Sequence, residues 1–200
     1  MAFGARAFSL IELLTVIAII ALLSALMLPA LSSISQGFNI TSAGQTVVDQ
    51  MALARQLAST KNRNAEVRFY MKKSVTGTDP VFRGLQVWNQ VQKNGMVIYE
   101  PASKVLWFRD GFKVLESETY SPLLGSAFSA GYKSSTDLPA GADYYVAVRF
   151  RPSGAPEASL KESNNFVTVV HERETGAALP NNFFTIQIDP LTGRSTVYRP

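Results

Sequence analysis

The chain has 200 residues, of which 46% are hydrophobic and 17% are charged, and this length suits one ordinary domain with an attached segment. It has no cysteine, which excludes a disulfide framework, a thiolate metal site and a cysteine nucleophile, and its single histidine, His171, excludes most catalytic dyads. The net charge of +4 is well below that of a dedicated nucleic-acid binder with clustered Lys and Arg. His171 follows a run of valines and is interpreted as a structural or surface residue of a strand.

The first predicted element is a hydrophobic helix over residues 8–31, with one carboxylate, Glu12, near its start. At about 1.5 Å per residue such a helix spans roughly 36 Å, enough to cross a hydrocarbon core of about 30 Å. A secretory signal peptide fits poorly, because its apolar region runs only about 7–15 residues. A plain single-pass anchor fits the length and the basic Arg6 at the cytoplasmic end, but it leaves Glu12 inside the span without a partner.

The run Ala7-Phe-Ser-Leu-Ile-Glu12 at the start of this helix resembles the processing signal of type IV pilins and type II secretion pseudopilins. The resemblance implies that residues 1–7 are a leader, which a prepilin peptidase cuts off before Phe8, and that the new amine of Phe8 is methylated. It implies that Glu12 neutralises the N-terminal ammonium of a neighbouring subunit as helices pack into a filament, where the two charges offset each other's desolvation. Pro29 falls where many pilins have a helix-bending proline.

The residue before the cut departs from the family pattern, because Ala7 stands where Gly is usual. Gly4 cannot replace it, since a cut after Gly4 would put Ser9, not Glu12, at the acidic position. Alanine is small enough to be a tolerated variant.

The resemblance also implies a location and partners. The chain is expected to cross a bacterial inner membrane once, with its N-terminus in the cytoplasm and the head outside, until the helix enters a pilus or pseudopilus. The expected partners are the prepilin peptidase and other pilin or pseudopilin subunits.

Residues 32–63 are predicted to continue the helix in amphipathic form. Apolar residues recur at spacings of three and four over 47–58, as on the core-facing side of a helix. Thr41 or Ser42 is a candidate cap for its start, and residues 62–64 are a candidate stop.

Residues 64–200 are predicted to form a β-rich head, because short segments rich in β-branched and aromatic residues alternate with turn signals. The turns Lys93-Asn94-Gly95 and Arg109-Asp110-Gly111 are predicted to close hairpins, and residues 121–143 to form a long surface loop. The predicted strands are 65–71, 84–92, 96–100, 105–108, 112–116, 144–151, 166–172, 183–188 and 196–198.

Two C-terminal runs narrow the resemblance: Val148-Arg-Phe-Arg-Pro-Ser-Gly154, and Phe183-Phe-Thr-Ile-Gln-Ile-Asp-Pro-Leu-Thr-Gly-Arg194. They resemble the closing strands of the minor pseudopilins that include general secretion protein H and FimT. The resemblance implies an α+β fold, with a long N-terminal helix packed on an antiparallel β-sheet or a two-sheet head. The first half of that helix would span a membrane and the second half would be amphipathic.

No sequence feature indicates catalysis. The chain has no Gly-rich phosphate loop, no Gly-x-Ser-x-Gly elbow and no His-Glu-x-x-His, so no catalytic residue, cofactor or metal ligand is predicted, and the chain is not expected to be an enzyme. Glu116 with Glu118, and Glu172 with Glu174, are interpreted as solvated charges, and Asp189 as a turn residue rather than a calcium ligand. An anchored enzyme would need a deep pocket with clustered acidic residues.

Basic residues supply an alternative function. Arg149 and Arg151 share one strand face, and Arg194 and Arg199 lie near the last hairpin, where accessible arginines can contact phosphate. The leading hypothesis is a structural minor pilin or pseudopilin of a type IV pilus-like or type II secretion filament. The alternative is a DNA-binding minor pilin at a filament tip that acts in DNA uptake, although scattered acids favour a solvated surface.

Overall fold

A computed structural model describes residues 9–73, 79–108, 111–125, 138–157, 165–174 and 178–200, without the side chains of 26–38 and of Lys73. The chain divides into two compact units, Met1–Phe38 and Asn39–Pro200. Helix α1 spans Leu10–Lys61, and a short 3-10 helix spans Pro122–Leu124. The strands are β1 Ala65–Lys73, β2 Pro80–Lys93, β3 Met96–Pro101, β4 Leu106–Trp107, β5 Phe112–Val114, β6 Tyr144–Phe150, β7 Phe166–His171, β8 Phe184–Ile188 and β9 Ser195–Tyr198.

The structure corrects the predicted membrane span. Over the part of the chain that is described, no helix combines the length and the hydrophobicity that crossing a bilayer requires. The predictions of a membrane-spanning helix over 8–31 and of a single-pass inner-membrane protein are therefore contradicted.

The predicted fold class is contradicted as well. One antiparallel sheet of nine strands is the main element of the structure, in the order β6-β1-β2-β5-β7-β8-β9, with β3 and β4 also paired to β2. The predicted fold has a long helix with a membrane-spanning first half, packed on an antiparallel β-sheet or a two-sheet head, and the described residues contain no membrane-spanning helix.

The part of α1 in the second unit packs on this sheet as its sequence spacing predicts. Its buried residues recur at spacings of three and four and join the core of the head: Ile40, Ala43, Val47, Met51, Ala54 and Ala58. The helix ends before Asn62, whose positive φ of 49° stops it as predicted. The predicted caps Thr41 and Ser42 are wrong, because both residues lie inside α1, where the Ser42 carbonyl accepts a hydrogen bond of 2.8 Å from the Thr46 hydroxyl.

All nine predicted strands are present, with ends shifted by a few residues. The hairpin at Lys93-Asn94-Gly95 is confirmed, since Lys93 pairs with Met96 across a two-residue turn in which Asn94 and Gly95 have φ of 53° and 78°. Local turn chemistry therefore defined this connection.

The hairpin predicted at Arg109-Asp110-Gly111 is wrong. β4 and β5 both pair antiparallel with β2, so they run in the same direction instead of folding back on each other. Gly111, at φ 94°, directs the chain onward along β2, while Arg109 and Asp110 lie outside the described residues.

The loop predicted over 121–143 is corrected at its start. Ser121 and the 3-10 helix are buried, because the Ser121 hydroxyl accepts a 3.0 Å hydrogen bond from the amide of Thr168 in β7. The Thr168 hydroxyl in turn donates to the carbonyl of Tyr120 at 2.5 Å. Residues 126–137 lie outside the described part of the chain.

The two ends of the strand order approach each other within the head. Gly154 follows β6 and Gly193 lies between β8 and β9, yet a Cβ added to Gly193 would overlap the carbonyl oxygen of Gly154. Arg55 of α1 lies at the same junction and donates to the carbonyl of Thr192 at 3.4 Å. The sheet is therefore curved around residues 40–58 of α1.

Candidate functional site

The N-terminal unit presents a helix with apolar side chains on every side. Ten large apolar residues between Leu10 and Leu23 are each 48–80% exposed. A helix that is hydrophobic all round is normally buried against apolar neighbours, and single chains rarely leave so large a patch uncovered. This segment, residues 10–25, is called the apolar helix segment below.

Glu12, predicted as the assembly residue, has a structural role at the start of this segment. Its Oε2 accepts a 3.0 Å hydrogen bond from the amide of Ser9, and the Ser9 hydroxyl oxygen accepts a longer one, 3.4 Å, from the amide of Ile11. This reciprocal pairing is a capping-box arrangement, and the negative charge suits the N-terminal end of the helix dipole. The spacing Ser-x-x-Glu was the sequence signal for it.

Of the other residues predicted to act in processing or helix bending, the structure describes only the backbone of Pro29. Ala7 and Phe8 lie outside the described residues. Pro29 lies within α1, and its side chain is outside the description, so the predicted helix bend stays a prediction.

Arg149 is held by acidic side chains of the head. Its guanidinium donates to Glu66 at 3.1 Å and to Glu157 at 2.7 Å, and it lies 5.1 Å from the ring centre of Tyr99. Burial lowers the pKa of Arg149, but the carboxylate of Glu66 and its other partners raise it by more. Arg149 is therefore engaged within the head.

The other three predicted phosphate contacts lie in different settings. Arg151 is exposed and donates to the carbonyl of Glu157 at 2.9 Å. Arg194 is exposed in the last turn, and Arg199 donates to the hydroxyl of Thr41 on α1. The structure brings only Arg149 and Arg151 together, through Glu157.

The outer face of the sheet holds a buried polar cluster that the sequence reading missed. Arg68 lies between two aromatic rings, 3.7 Å from the centre of Trp88 and 4.4 Å from that of Tyr145. Glu66 is only 2% exposed and accepts from Arg68 at 2.7 Å through one oxygen, while its other oxygen accepts from Arg149. Polar residues at alternate positions of β1 were the sequence signal.

Tyr70 continues this cluster on the same face. Its hydroxyl donates to Gln86 at 2.7 Å and accepts from the indole of Trp88 at 2.9 Å. Burial raises the pKa of Tyr70 to about 12, against the smaller opposing effect of its hydrogen bond to Trp88. The cluster therefore stabilises the head around a neutral tyrosine.

The acidic residues singled out in the sequence divide into two groups. Glu116, Glu118 and Glu174 are exposed, as interpreted. Glu172 is not: it is 2% exposed and lies 3.8 Å from the guanidinium of Arg83, so its interpretation as a solvated charge is wrong. The strand β7 ends beside the bulge at Arg83, which sequence spacing alone does not reveal.

The turn interpretation of Asp189 is confirmed. Its Oδ1 accepts from the amides of Leu191 and Thr192 and from the Thr192 hydroxyl, at 3.0, 2.6 and 2.8 Å. The backbone hydrogen bond from Thr192 is the main cause of a lowered pKa for Asp189. Among the described residues, no group of three or more His, Asp or Glu is placed to hold a metal ion.

An open cavity of about 470 Å³ lies at the start of β2 and beside β5. Asp79, Glu116 and Glu174 contribute carboxylates to its lining, together with Lys113 and Tyr120. The enzyme hypothesis requires a deep pocket with clustered acidic residues, and this open cavity is where that requirement can be tested.

No family model, no curated protein and no solved structure matches this chain.

Proposed function

We propose that the protein is a structural subunit of a filament of the pilin or pseudopilin kind. Removal of residues 1–7 by a prepilin peptidase and methylation of Phe8 prepare it for assembly. The apolar helix segment then packs among the same segments of neighbouring subunits.

The observation that carries this proposal is the exposure of ten large apolar side chains around that segment. Burying the exposed half of each contributes about 1 kcal/mol, hence on the order of 10 kcal/mol for each subunit. That is comparable with the cost of about 4–15 kcal/mol for losing the freedom of a separate molecule. The segment therefore supplies enough free energy to assemble only when it is surrounded by several copies.

Glu12 supports the same proposal through its unused acceptor capacity. One carboxylate oxygen accepts from the Ser9 amide, and no hydrogen bond to the described residues engages the other. A neighbouring N-terminal ammonium would satisfy that oxygen in a bundle from which water is excluded. Pairing the two charges offsets the free energy of their desolvation.

The processing step is tested by intact-mass measurement and N-terminal sequencing of the protein from its native host. The mature chain is expected to begin at Phe8 with one extra methyl group. Recovery of the mature chain with Met1 intact would reject the processing step.

The packing step is tested with single cysteines, because the natural chain has none that would interfere. Ile17→Cys places a thiol on the apolar helix segment, and Thr119→Cys places a matched thiol on the exposed surface of the head. Oxidation of assembled material is expected to give dimers for Ile17→Cys and not for Thr119→Cys. Equal dimer yields from the two variants would argue against helix packing.

A further inference from the structure

The strand β3 forms an open edge of the sheet. It pairs with β2, and among the strands that the structure describes none pairs with its other side. Met96 and Val97 on this strand are 65% and 61% exposed. An open edge presents unpaired N–H and C=O groups to any other extended chain. The sheet can therefore be continued by one more strand beside β3.

The hairpin geometry determines which backbone groups of β3 face this edge. Lys93 and Met96 close the two-residue turn as a hydrogen-bonded pair, and such pairs alternate along an antiparallel ladder. Gln90, opposite Tyr99, directs its amide away from β3, to the carbonyl of the residue before β1 at 2.9 Å. Val97 and Tyr99 therefore direct their N–H and C=O groups to the open edge.

A second copy of β3 fits this edge in the antiparallel register centred on Ile98. Val97 of each copy then exchanges backbone hydrogen bonds with Tyr99 of the other, so the outward groups of both residues are used. Ile98 faces its own counterpart, and β-branched and aromatic side chains form favourable cross-strand pairs. A register centred on Tyr99 is poorer, because it places Val97 opposite Pro101, which has no N–H to donate.

The charges on the hairpin favour the same register. Glu100 is the one charged residue of β3, and it forms an exposed ion pair of 3.6 Å with Lys93 of β2. In the register centred on Ile98, Glu100 of each copy lies opposite Met96 of the other, beside the hairpin end that carries Lys93. Opposite charges therefore approach each other and no like charges meet. The centre of the strand has none of the charges with which edge strands usually prevent such pairing.

We propose that two copies of the head associate by antiparallel pairing of β3 with β3 about a two-fold axis at Ile98. The pairing joins the two sheets into one, and the interface uses the same surface of both copies. It is separate from the proposed filament packing, because no residue of the apolar helix segment takes part.

Single cysteines in the full-length chain, kept in a non-ionic detergent, test this register. Ile98→Cys brings two thiols together at the two-fold axis, where Cβ atoms of paired residues lie about 4.5–5.5 Å apart. Met96→Cys is the matched control: Met96 is more exposed than Ile98, but its two copies lie roughly 13 Å apart in this register. Oxidation is expected to form dimers at least about tenfold faster in Ile98→Cys, because a disulfide requires close Cβ atoms.

Equal or faster cross-linking of Met96→Cys would overturn the proposal. It would indicate random collision, including any collision that contact between apolar helix segments promotes. A mixed disulfide of Ile98→Cys with a different protein in host membranes, without the dimer, would also overturn it and would assign the edge to a foreign strand.

Two substitutions at Val97 test the backbone pairing in the Ile98→Cys chain. Val97→Pro removes an outward N–H that the pairing with β2 does not use, and proline is tolerated at such edge positions. It is expected to slow dimer formation at least about tenfold, whereas Val97→Thr keeps the N–H and is expected to stay within about twofold of the parent. Urea denaturation checks that both variants fold. Unchanged cross-linking in a folded Val97→Pro chain would overturn the proposal, and if that variant does not fold, the comparison of Ile98→Cys with Met96→Cys decides.

Discussion

Gly193 lies directly against the carbonyl oxygen of Gly154, and this contact joins the turn after β6 to the turn between β8 and β9. Gly193 also has a positive φ of 66°, a conformation that side chains with a Cβ adopt at a cost. Both glycines belong to the C-terminal runs on which the resemblance to minor pseudopilins rests. Closure of the curved sheet around α1 therefore depends on two turns that lie far apart in sequence.

Gly193→Ala is expected to lower the free energy of unfolding by about 2–4 kcal/mol. About 1–2 kcal/mol comes from the left-handed backbone conformation, and the rest comes from the overlap with Gly154. Gly95→Ala is the matched control, since Gly95 has a similar φ of 78° and no atom within 4 Å of the position of an added Cβ. Urea denaturation measures both, and an equal loss in the two variants would show that the Gly154 contact contributes nothing.

The strands could be predicted because their signals are local. Alternating β-branched and aromatic residues marked all nine strands, and Asn94-Gly95 was enough to define one hairpin. Asp110-Gly111 carried the same local signal and misled, because nothing nearby in the sequence reveals that β4 and β5 share β2 as their partner.

The buried polar cluster could not be predicted because it depends on long-range pairing. Arg68 meets Trp88 and Tyr145 only after β1 pairs with both β2 and β6. The burial of Glu172 beside Arg83 has the same origin, since a bulge in β2 sets the position of Arg83. At the helix start the reason is different: the length of the apolar run predicts a membrane span, whereas the spacing of Ser9 and Glu12 is that of a capping box.

Ser9→Ala and Glu12→Gln separate capping from assembly. Ser9→Ala removes the hydroxyl that accepts from Ile11 and is expected to cost the helix start about 0.5–2 kcal/mol. Glu12→Gln keeps an oxygen for the Ser9 amide but removes the charge that would pair with a neighbouring ammonium. Amide hydrogen exchange over residues 10–15 is expected to accelerate more in Ser9→Ala, while filament yield is expected to fall more in Glu12→Gln.

A larger loss of filament yield in Ser9→Ala than in Glu12→Gln would contradict the proposed charge pairing. It would indicate that Glu12 contributes to assembly mainly by ordering its own helix.

The raised pKa of Tyr70 predicts a loss of stability in alkali. Tyrosine in the unfolded chain loses its proton near pH 10, whereas Tyr70 in the folded chain keeps it to about pH 12, so the folded state binds more protons between these values. The contribution of Tyr70 to the free energy of unfolding is therefore fully present below pH 10. It falls by about 1.4 kcal/mol per pH unit as the pH rises to 12.

Tyr70→Phe is the control for this dependence, since it removes the titrating group. The difference between the natural chain and Tyr70→Phe in urea denaturation should shrink as the pH rises from 9 to 12, a range set by the raised pKa. A difference that stays constant over this range would show that Tyr70 titrates alike in both states.

Arg149 and Arg194 are expected to differ in what they contribute to the head. Arg149→Ala removes a partner from the buried Glu66 and is expected to cost about 1–3 kcal/mol of unfolding free energy. Arg194→Ala removes an exposed side chain and is expected to change it by less than about 0.5 kcal/mol. Thermal or urea denaturation of the two variants tests this difference.

A triple variant tests the DNA-binding alternative without removing a partner from the buried Glu66. If Arg151, Arg194 and Arg199 contact phosphate, gel shifts at increasing salt should show weaker binding when all three are replaced by Ala, together with a smaller salt dependence. Arg149 is left in place, because its loss would disturb Glu66 and Glu157. Unchanged binding by the triple variant would exclude this surface as the DNA contact. Arg149 alone would not account for the binding, because the carboxylates of Glu66 and Glu157 balance its positive charge.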